Sequence, residues 1–390
     1  MFEAFSGVGC QAMALKRITD NYELVGFSEI DVHAIKSYTA IHGEVKNYGD
    51  ITMMATIPEC DIFTWSFPCT DLSKAGKQKG LSDGTRSGLV YEVLRLLHHT
   101  ERKPKVLIME NVVDLVQVKF VDAFNAIQKE LEELGYTNYN EVLNAKDFEI
   151  PQNRERVFMV SILGDEVNPH YSYDFPIKRP LKIRLKDVLE ENVDEKYYLS
   201  QQNLATLTTY NTGTYERAKA FRFNIEKTIN SGIIGAVPAA HRTGPIDPYW
   251  AEEATILIKE ATTKGYAEAT DGDGVYINRP HQKRGVVQKG MTPTIKTSGN
   301  DIGVVILDHT THDENNDDCK VVEVDGKAYY RALNKWYRIR KLTPLECWRL
   351  MGISDEDYWK AKNAGVSNSQ LYKQAGNGIV VNVFEAILRE

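Results

Sequence analysis

FEAFSGVGCQAMAL, Phe2 to Leu15, opens the chain and sets its class. Phe2 to Phe5 reads as a short strand running straight into Ser6-Gly7-Val8-Gly9, after which Ala12, Ala14 and Leu15 recur at helical spacing. Strand, glycine turn and helix make the opening of a nucleotide-binding βαβ unit, where glycine lets the backbone approach a ligand at the helix N-terminus. A plain tight turn fits the same glycines. Tyr22 to Glu29 reads as the second strand, and its closing carboxylate lies twenty residues after Gly9, the offset at which such folds meet ribose hydroxyls. The third glycine of the dinucleotide fingerprint is missing, which leans away from a nicotinamide dinucleotide.

Asp31 to His42 reads as a helix with Ala34, Ile35 and Tyr38 on one face. Asp50-Ile51 follows at the end of a short third strand, where the pair could bond to and pack on an adenine; an Asp capping the next segment explains it equally. The next strand, in DIFTWSFPCTDLSKAG from Asp61 to Gly76, hands over to a loop at Phe67-Pro68-Cys69-Thr70. Sheets of this class present their chemistry at that point, although a lone cysteine is more often a small core residue. Behind it, the lysine- and glycine-rich stretch from Ser73 to Gly88 suits closure onto a phosphate backbone.

Leu89 to Leu97 reads as an amphipathic helix, and Lys105 to Met109 as a buried parallel strand ending in Glu110-Asn111-Val112. Cys69 and Glu110 thus close neighbouring strands. A carboxylate capping the next helix is the structural alternative. Gln152-Asn153-Arg154-Glu155-Arg156 precedes the strand Val157 to Leu163, and extended backbone puts Arg154 and Arg156 on one side, aimed at anions or carbonyl oxygens, or at Glu110 as a buried ion pair.

The chain has 390 residues, enough for two domains. With 42% hydrophobic and 26% charged residues and no apolar run of membrane-spanning length, an intracellular globular protein is expected. Its five scattered cysteines show no paired spacing for zinc or disulfides, so any cysteine chemistry belongs to a free thiol. The net charge of −7 excludes a uniformly basic coat but not local clefts. Arg279, Lys283, Arg284, Lys289 and Lys296 form one acid-free run, and Lys327, Arg331, Lys335, Arg338, Arg340 and Lys341 another, so the charge is segregated into local basic clefts. Asp313 to Asp318 lacks the glycine and closing glutamate of a calcium loop. Thr343-Pro344-Leu345-Glu346 reads as a capping box, and the glycines around Asn377 as a turn that brings backbone close to a ligand.

In chain order, FSGVG, the strand ending in Glu29, Asp50-Ile51, FPCTDLS, ENV, QNRER, RKLTPLECWRLMGI and AGNGIVV closely resemble the cytosine-specific DNA methyltransferases that modify carbon 5, of the bacterial and phage type. The resemblance covers residues 1 to 163 and about 338 to 390, leaving the middle, where that family reads its DNA sites. It implies an α/β fold with a doubly wound, mostly parallel sheet, the S-adenosylmethionine-dependent methyltransferase fold, and a second, smaller β-rich domain forming the other wall of a DNA cleft, which the two basic runs would line. The domains expected are residues 1–180 for catalysis and cofactor binding, 181–355 for target recognition, and 356–390 returning to the first.

The resemblance makes Cys69 the nucleophile, Glu110 the acid on the cytosine ring nitrogen, and Arg156 the clamp on the cytosine carbonyl, with Arg154 supporting Arg156 or the backbone. Phe5, Gly7, Gly9, Glu29, Asp50, Ile51 and Asn377 would surround S-adenosylmethionine, with no metal. Double-stranded DNA is the implied partner of a monomer in the cytoplasm of a bacterial cell, encoded there or by a phage, with a cognate restriction enzyme a further candidate and no membrane involved. Thr70 stands where the family usually has Gln and Gly378 where it often has Ser, departures that bear on fine positioning. Only four residues precede Phe5, so part of the usual first strand is expected to be missing. Two other readings stay open: a tRNA cytosine-5 methyltransferase, whose Cys-Phe-Thr hallmark is absent, and a DNA-binding regulator without catalysis, against which the intact Cys69, Glu110 and Arg156 argue.

Overall fold

β1 (Phe2–Ala4) is buried along its whole length and sits inside the sheet that organises the first half of the chain. In this computed structural model, which describes residues 1–68, 86–168, 170–209, 255–278, 285–299, 301–309, 320–332 and 335–390, β1 is followed by α1 (Cys10–Lys16) and β2 (Gly26–Ser28). Then come α2 (Val32–His42), β3 (Ile62–Trp65), α3 (Val90–His99), β4 (Val106–Val112), α4 (Val121–Glu133), β5 (Tyr136–Asn144), the two-residue β6 (Gln152–Asn153) and β7 (Glu155–Leu163). The six-stranded sheet runs β2-β1-β3-β4-β7-β5. β2, β1, β3 and β4 run parallel to one another, while β7 is antiparallel to both β4 and β5. The expected doubly wound, mostly parallel sheet is therefore present, with one reversed strand that a continuous apolar run cannot reveal.

The order 2-1-3 places a topological switch point between β1 and β3, the crevice where open α/β sheets bind ligands. Helices cover both faces. Phe2 and Ala4 join a core with Val90, Val93 and Leu94 of α3 and Phe124, Ile127 and Leu131 of α4. Alternation turns Glu3 to the opposite face, towards α1 and α2.

The second strand is shorter than the sequence suggests, and the expected third strand shrinks to one parallel bridge, Phe27 with Asn47. Cys69, Thr70, the loop from Ser73 to Thr85, and Asp313 to Asp318 lie outside the described residues, so expectations placed on them stay expectations.

By contact, the chain forms two units: Met1–Leu189 with Thr294–Gly299 and Thr343–Glu390, and Glu190–Pro293 with Asn300–Leu342. After the short return at Thr294–Gly299, the chain re-enters the first unit for good at Thr343, ahead of the expected 356. The reason is the capping box: Thr343 Oγ1 accepts the Glu346 amide at 3.2 Å and Glu346 accepts the Thr343 amide at 2.8 Å, starting a helix whose buried Leu345, Cys347 and Trp348 belong to this unit. The closing helices are α6 (Pro344–Arg349), α7 (Asp355–Asn363), α8 (Asn368–Asn377) and α9 (Val381–Arg389).

The second unit contains α5 (Gln201–Leu207), the hairpin β8 (Ile256–Lys259) and β9 (Tyr266–Ala269), and the strands β10 (Gly274–Tyr276), β11 (Val287–Gln288), β12 (Thr292–Pro293), β13 (Ile302–Asp308), β14 (Lys320–Val324), β15 (Lys327–Ala332) and β16 (Lys335–Lys341). All but β8, β9 and β12 form an antiparallel sheet ordered β11-β10-β13-β16-β15-β14. Tyr330, Tyr337 and Ile339 fill one face with Leu204, Leu207, Ile256 and Val275.

The expectation that the second basic run lines a DNA surface needs correction. Arg331, Arg338 and Arg340 are buried. Arg338 and Arg340 alternate with Tyr337 and Ile339, and Arg338 is ion-paired with Glu195 and stacked 3.7 Å from the Tyr198 ring centre. Of the first run, Lys289 is paired with the buried Asp273 at 2.9 Å, while Arg279, Lys283 and Arg284 are not described.

Candidate active site

The carboxyl ends of β1, β3 and β4 bring the candidate residues to one edge of the first sheet. β3 and β4 run in register, Trp65 beside Met109, so Phe67-Pro68 leaves β3 alongside Glu110-Asn111, which β4 carries on in its ladder with β7. Asn111 Nδ2 donates to the Phe67 carbonyl at 3.1 Å and fixes the two ends together. Pro68 is the last described residue before Cys69.

Glu110 is buried, and Arg156 Nε reaches its Oε1 at 3.1 Å. The ladder explains the meeting. Val112 lies opposite Arg156 and Glu110 opposite Phe158, so Glu110 and Arg156 are diagonal neighbours on one face. The ion pair that the sequence allowed is present, yet burial pushes the Glu110 carboxyl above the ordinary range against the pull of Arg156 and Arg154. The result is a buried carboxyl raised above its ordinary range and already aligned by a cation.

Arg154 does something else. It is buried, with Nη1 on the Ile295 carbonyl at 3.3 Å and Nη2 on the Gly376 and Gly378 carbonyls at 3.2 and 2.8 Å. Of the two roles foreseen for it, these bonds match the backbone support. Gln152, for which the sequence suggested no role, works beside it: fully buried, it donates to the Leu350 carbonyl at 2.7 Å and accepts the Ile295 amide at 3.1 Å.

On the β1 side, Phe5 has φ +55°, an uncommon conformation for an aromatic residue and a form of strain that gathers at functional sites. Gly7 has φ +58°, and a Cβ there would meet nothing within 4 Å, so the backbone faces open space. Gly9, at φ +80°, is a glycine for a second reason, since a Cβ would lie 2.3 Å from His42 Nε2. The Gly7 amide donates to Glu29 Oε2 at 3.0 Å, and Glu29 Oε1 accepts the Ile30 and Asp31 amides at 2.8 and 2.9 Å. A carboxylate with about four acceptor positions retains room for one more donor. Open space beside a left-handed glycine, next to a carboxylate set by backbone, fits a nucleoside cofactor.

Asp50 caps the turn after it, with Oδ1 accepting the Thr52 amide and hydroxyl at 2.9 Å each. Ile51 is packed into the core at 2% exposure, and Asn377 is exposed at the last turn of α8. The glycines around Asn377 do not make the expected turn. Gly378 has φ −68°, and α8 runs through Gly376, where a Cβ would lie 2.4 Å from the Thr297 amide nitrogen. Close approach does explain Gly376, but to the protein's own strand of backbone.

Sequence reasoning missed Asn47, whose side chain accepts the Glu29 and Gly49 amides and donates to the Glu29 carbonyl. It also missed Asn111 as the strand-end tie and Ile30, 69% exposed beside Glu29. An Asn near a strand end and an exposed Ile after the acid were the available signals. Among the described residues, no group of three His, Cys, Asp or Glu could hold a metal, and no helix is long and apolar enough to cross a membrane.

The comparisons with known proteins agree with one another. The family model for C-5 cytosine-specific DNA methylase matches residues 1–390. The orphan methyltransferase M.SPRI of Bacillus phage SPR is 34% identical over 99% of this chain and 95% of its own length. The type II methyltransferase M2.ScrFI of Lactococcus lactis subsp. cremoris is 32% identical over 100% and 98%. Among solved structures, the Entamoeba histolytica methyltransferase EhMeth (TM-score 0.60, 15% identity, 100% of this chain and 96% of that one) and S. pombe Dnmt2 (0.58, 17%, 99% and 96%) share the fold. The chain belongs to the C-5 cytosine-specific DNA methylase family and is a DNA cytosine methyltransferase.

Proposed function

We propose that this enzyme methylates carbon 5 of a cytosine flipped out of a specific duplex site, through a covalent adduct with Cys69. The observation that carries the reading is Glu110: a buried carboxyl, raised above its ordinary range by burial, 3.1 Å from Arg156 and tied through its neighbour Asn111 to the strand end that leads into Cys69.

The chemistry needs these residue types. Carbon 5 of cytosine is a weak nucleophile, so a thiolate first adds at carbon 6. An ordinary thiol titrates near about 8.5, so nearby positive charge has to favour the thiolate of Cys69. Glu110 then holds or gives a proton at the ring nitrogen, placing electron density on carbon 5, and Arg156 holds the carbonyl oxygen. S-adenosylmethionine, when bound, supplies an electrophilic methyl group on a sulfonium. Loss of the carbon-5 proton to base and departure of the thiolate release Cys69 and methylcytosine. Neither carbon is reachable inside a duplex, so the base must leave the stack.

Phe5, Gly7, Gly9, Glu29, Asp50, Ile51 and Asn377 are the residues proposed to hold the cofactor, with Ile30 added as an apolar shelf beside Glu29. Arg154 is assigned to the support of the backbone around Asn377. The proposed setting is a bacterial cytoplasm and a monomer acting on double-stranded DNA. M.SPRI is named an orphan enzyme and M2.ScrFI a type II enzyme, so relatives of both kinds exist; survival of modified DNA under restriction challenge would identify a cognate partner.

A duplex carrying 5-fluorocytosine in the target site tests the mechanism, because fluorine cannot leave as a proton does. The wild type with S-adenosylmethionine should give an adduct stable to denaturation, and Cys69→Ala none. An adduct persisting in the variant would overturn the assignment of Cys69.

A further inference from the structure

Glu3 has no part in the chemistry above, yet it is fully buried in the middle of β1. An apolar residue would fill that position without the cost of desolvating a carboxyl. Its two oxygens are both used. Oε1 accepts the Ala12 amide of α1 at 3.1 Å, and Oε2 accepts the Tyr38 hydroxyl of α2 at 2.6 Å.

These bonds bracket the loop of residues 5–9. One end of that loop leaves β1 directly after Glu3 and Ala4; the other enters α1 at Gly9, which has no side chain with which to cap the helix. Serine or aspartate cannot replace Gly9, because its φ is positive and a Cβ would collide with His42. The third amide of α1 takes its acceptor from Glu3 instead. Tyr38 extends the bracket to α2 and stacks on Phe27 of β2, with ring centres 3.9 Å apart.

We propose that Glu3 is a positioning residue for the methyl donor: its carboxyl locks both ends of the Phe5–Gly9 loop to β1 and α2, and so holds the backbone against which the donor binds. The proposal rests on the reading of that loop as the donor's cradle.

The charge of this bracket changes near neutrality. Burial pushes the Glu3 carboxyl up to about 7, against the bonds from Tyr38 and Ala12 and the Met1 ammonium group. Ionised, Glu3 accepts two charge-assisted bonds; protonated, it must give up or reverse one. The groups facing it are Tyr38, Cys10 and Tyr22, all shifted upward with burial as the leading cause, and the Met1 ammonium; His42, beside Tyr38, is shifted downward by burial.

Calorimetric titration of S-adenosylmethionine from about pH 6 to about pH 8.5 tests this on the wild type, Glu3→Gln and Tyr38→Phe, with the thermal midpoint of each recorded without ligand. Wild-type affinity should weaken about threefold or more as pH falls from about 8 to about 6. In Glu3→Gln it should be flat, with turnover at saturating donor within about twofold of wild type. Removing the Tyr38 hydroxyl, which lowers the Glu3 pKa, should move the break to higher pH. A Glu3→Gln variant that keeps the wild-type pH profile, or that loses turnover with unchanged affinity, overturns the proposal. No binding by the wild type would instead defeat the cradle reading itself.

Discussion

Two arginine triplets, Arg154-Glu155-Arg156 in the first unit and Arg338-Ile339-Arg340 in the other, have the same spacing in sequence, and the fold uses them differently. Extended backbone places each pair of arginines two residues apart. Arg156 lies across the ladder from the end of β4, diagonal to a buried carboxyl at the edge where strands present chemistry. Arg338 lies within a sheet, against Glu195 and between Tyr198 and Tyr329, with a role in packing. Residue type and spacing therefore do not set an arginine's role. The partner across the ladder and the distance from a strand's carboxyl end do.

Substitutions can sharpen or break this contrast. The largest effect belongs to the proposed nucleophile: Cys69→Ala should reduce methyl transfer to background while leaving DNA binding. Glu110→Gln should lower turnover by about 10²- to 10⁴-fold, the usual range for a lost general acid, without a comparable loss of donor affinity. Arg156→Ala should cost roughly 10²- to 10³-fold, as removal of a donor aimed at a substrate carbonyl does. If Arg156→Ala lowered only stability, the two triplets would be equivalent after all.

The pH profile gives a smaller effect with a defined sign. The Glu110 carboxyl is raised, and for the acid role proposed for it the working form is present below its folded-state pKa and is lost as pH rises through it. Turnover should therefore fall on the alkaline side, and that limb should vanish in Glu110→Gln. The smallest catalytic effect belongs to the triplet around Ile339. Arg338→Met should destabilise the protein by about 1 to 3 kcal/mol, below the range for a fully buried broken pair because Glu195 is half exposed, with turnover per folded molecule unchanged.

Much of the first unit was legible in the sequence because its signals are local. The glycine turn after β1, Glu29 at the end of β2, Glu110 at the end of β4 and the Thr343 box each rest on a few adjacent residues. What was hidden depends on partners far along the chain. The reversal of β7 is set by its ladder with β4 and β5. Gly376 is explained by the Lys296–Thr297 backbone, and the burial of Arg338 by Glu195 and Tyr198. Glu3 is one polar residue in an apolar strand, and only Ala12 and Tyr38 on its two oxygens give it a role.

The most direct test compares the two arginine pairs in one experiment. Wild type, Arg156→Ala and Arg338→Met are incubated with duplex DNA and labelled S-adenosylmethionine, the DNA is digested, and the nucleosides are identified by mass spectrometry with the folded fraction measured in parallel. The expected result is 5-methylcytosine from the wild type and, per folded molecule, from Arg338→Met, with a loss of at least about 10²-fold in a well-folded Arg156→Ala. Label on any other base, or full activity in folded Arg156→Ala, would contradict the account.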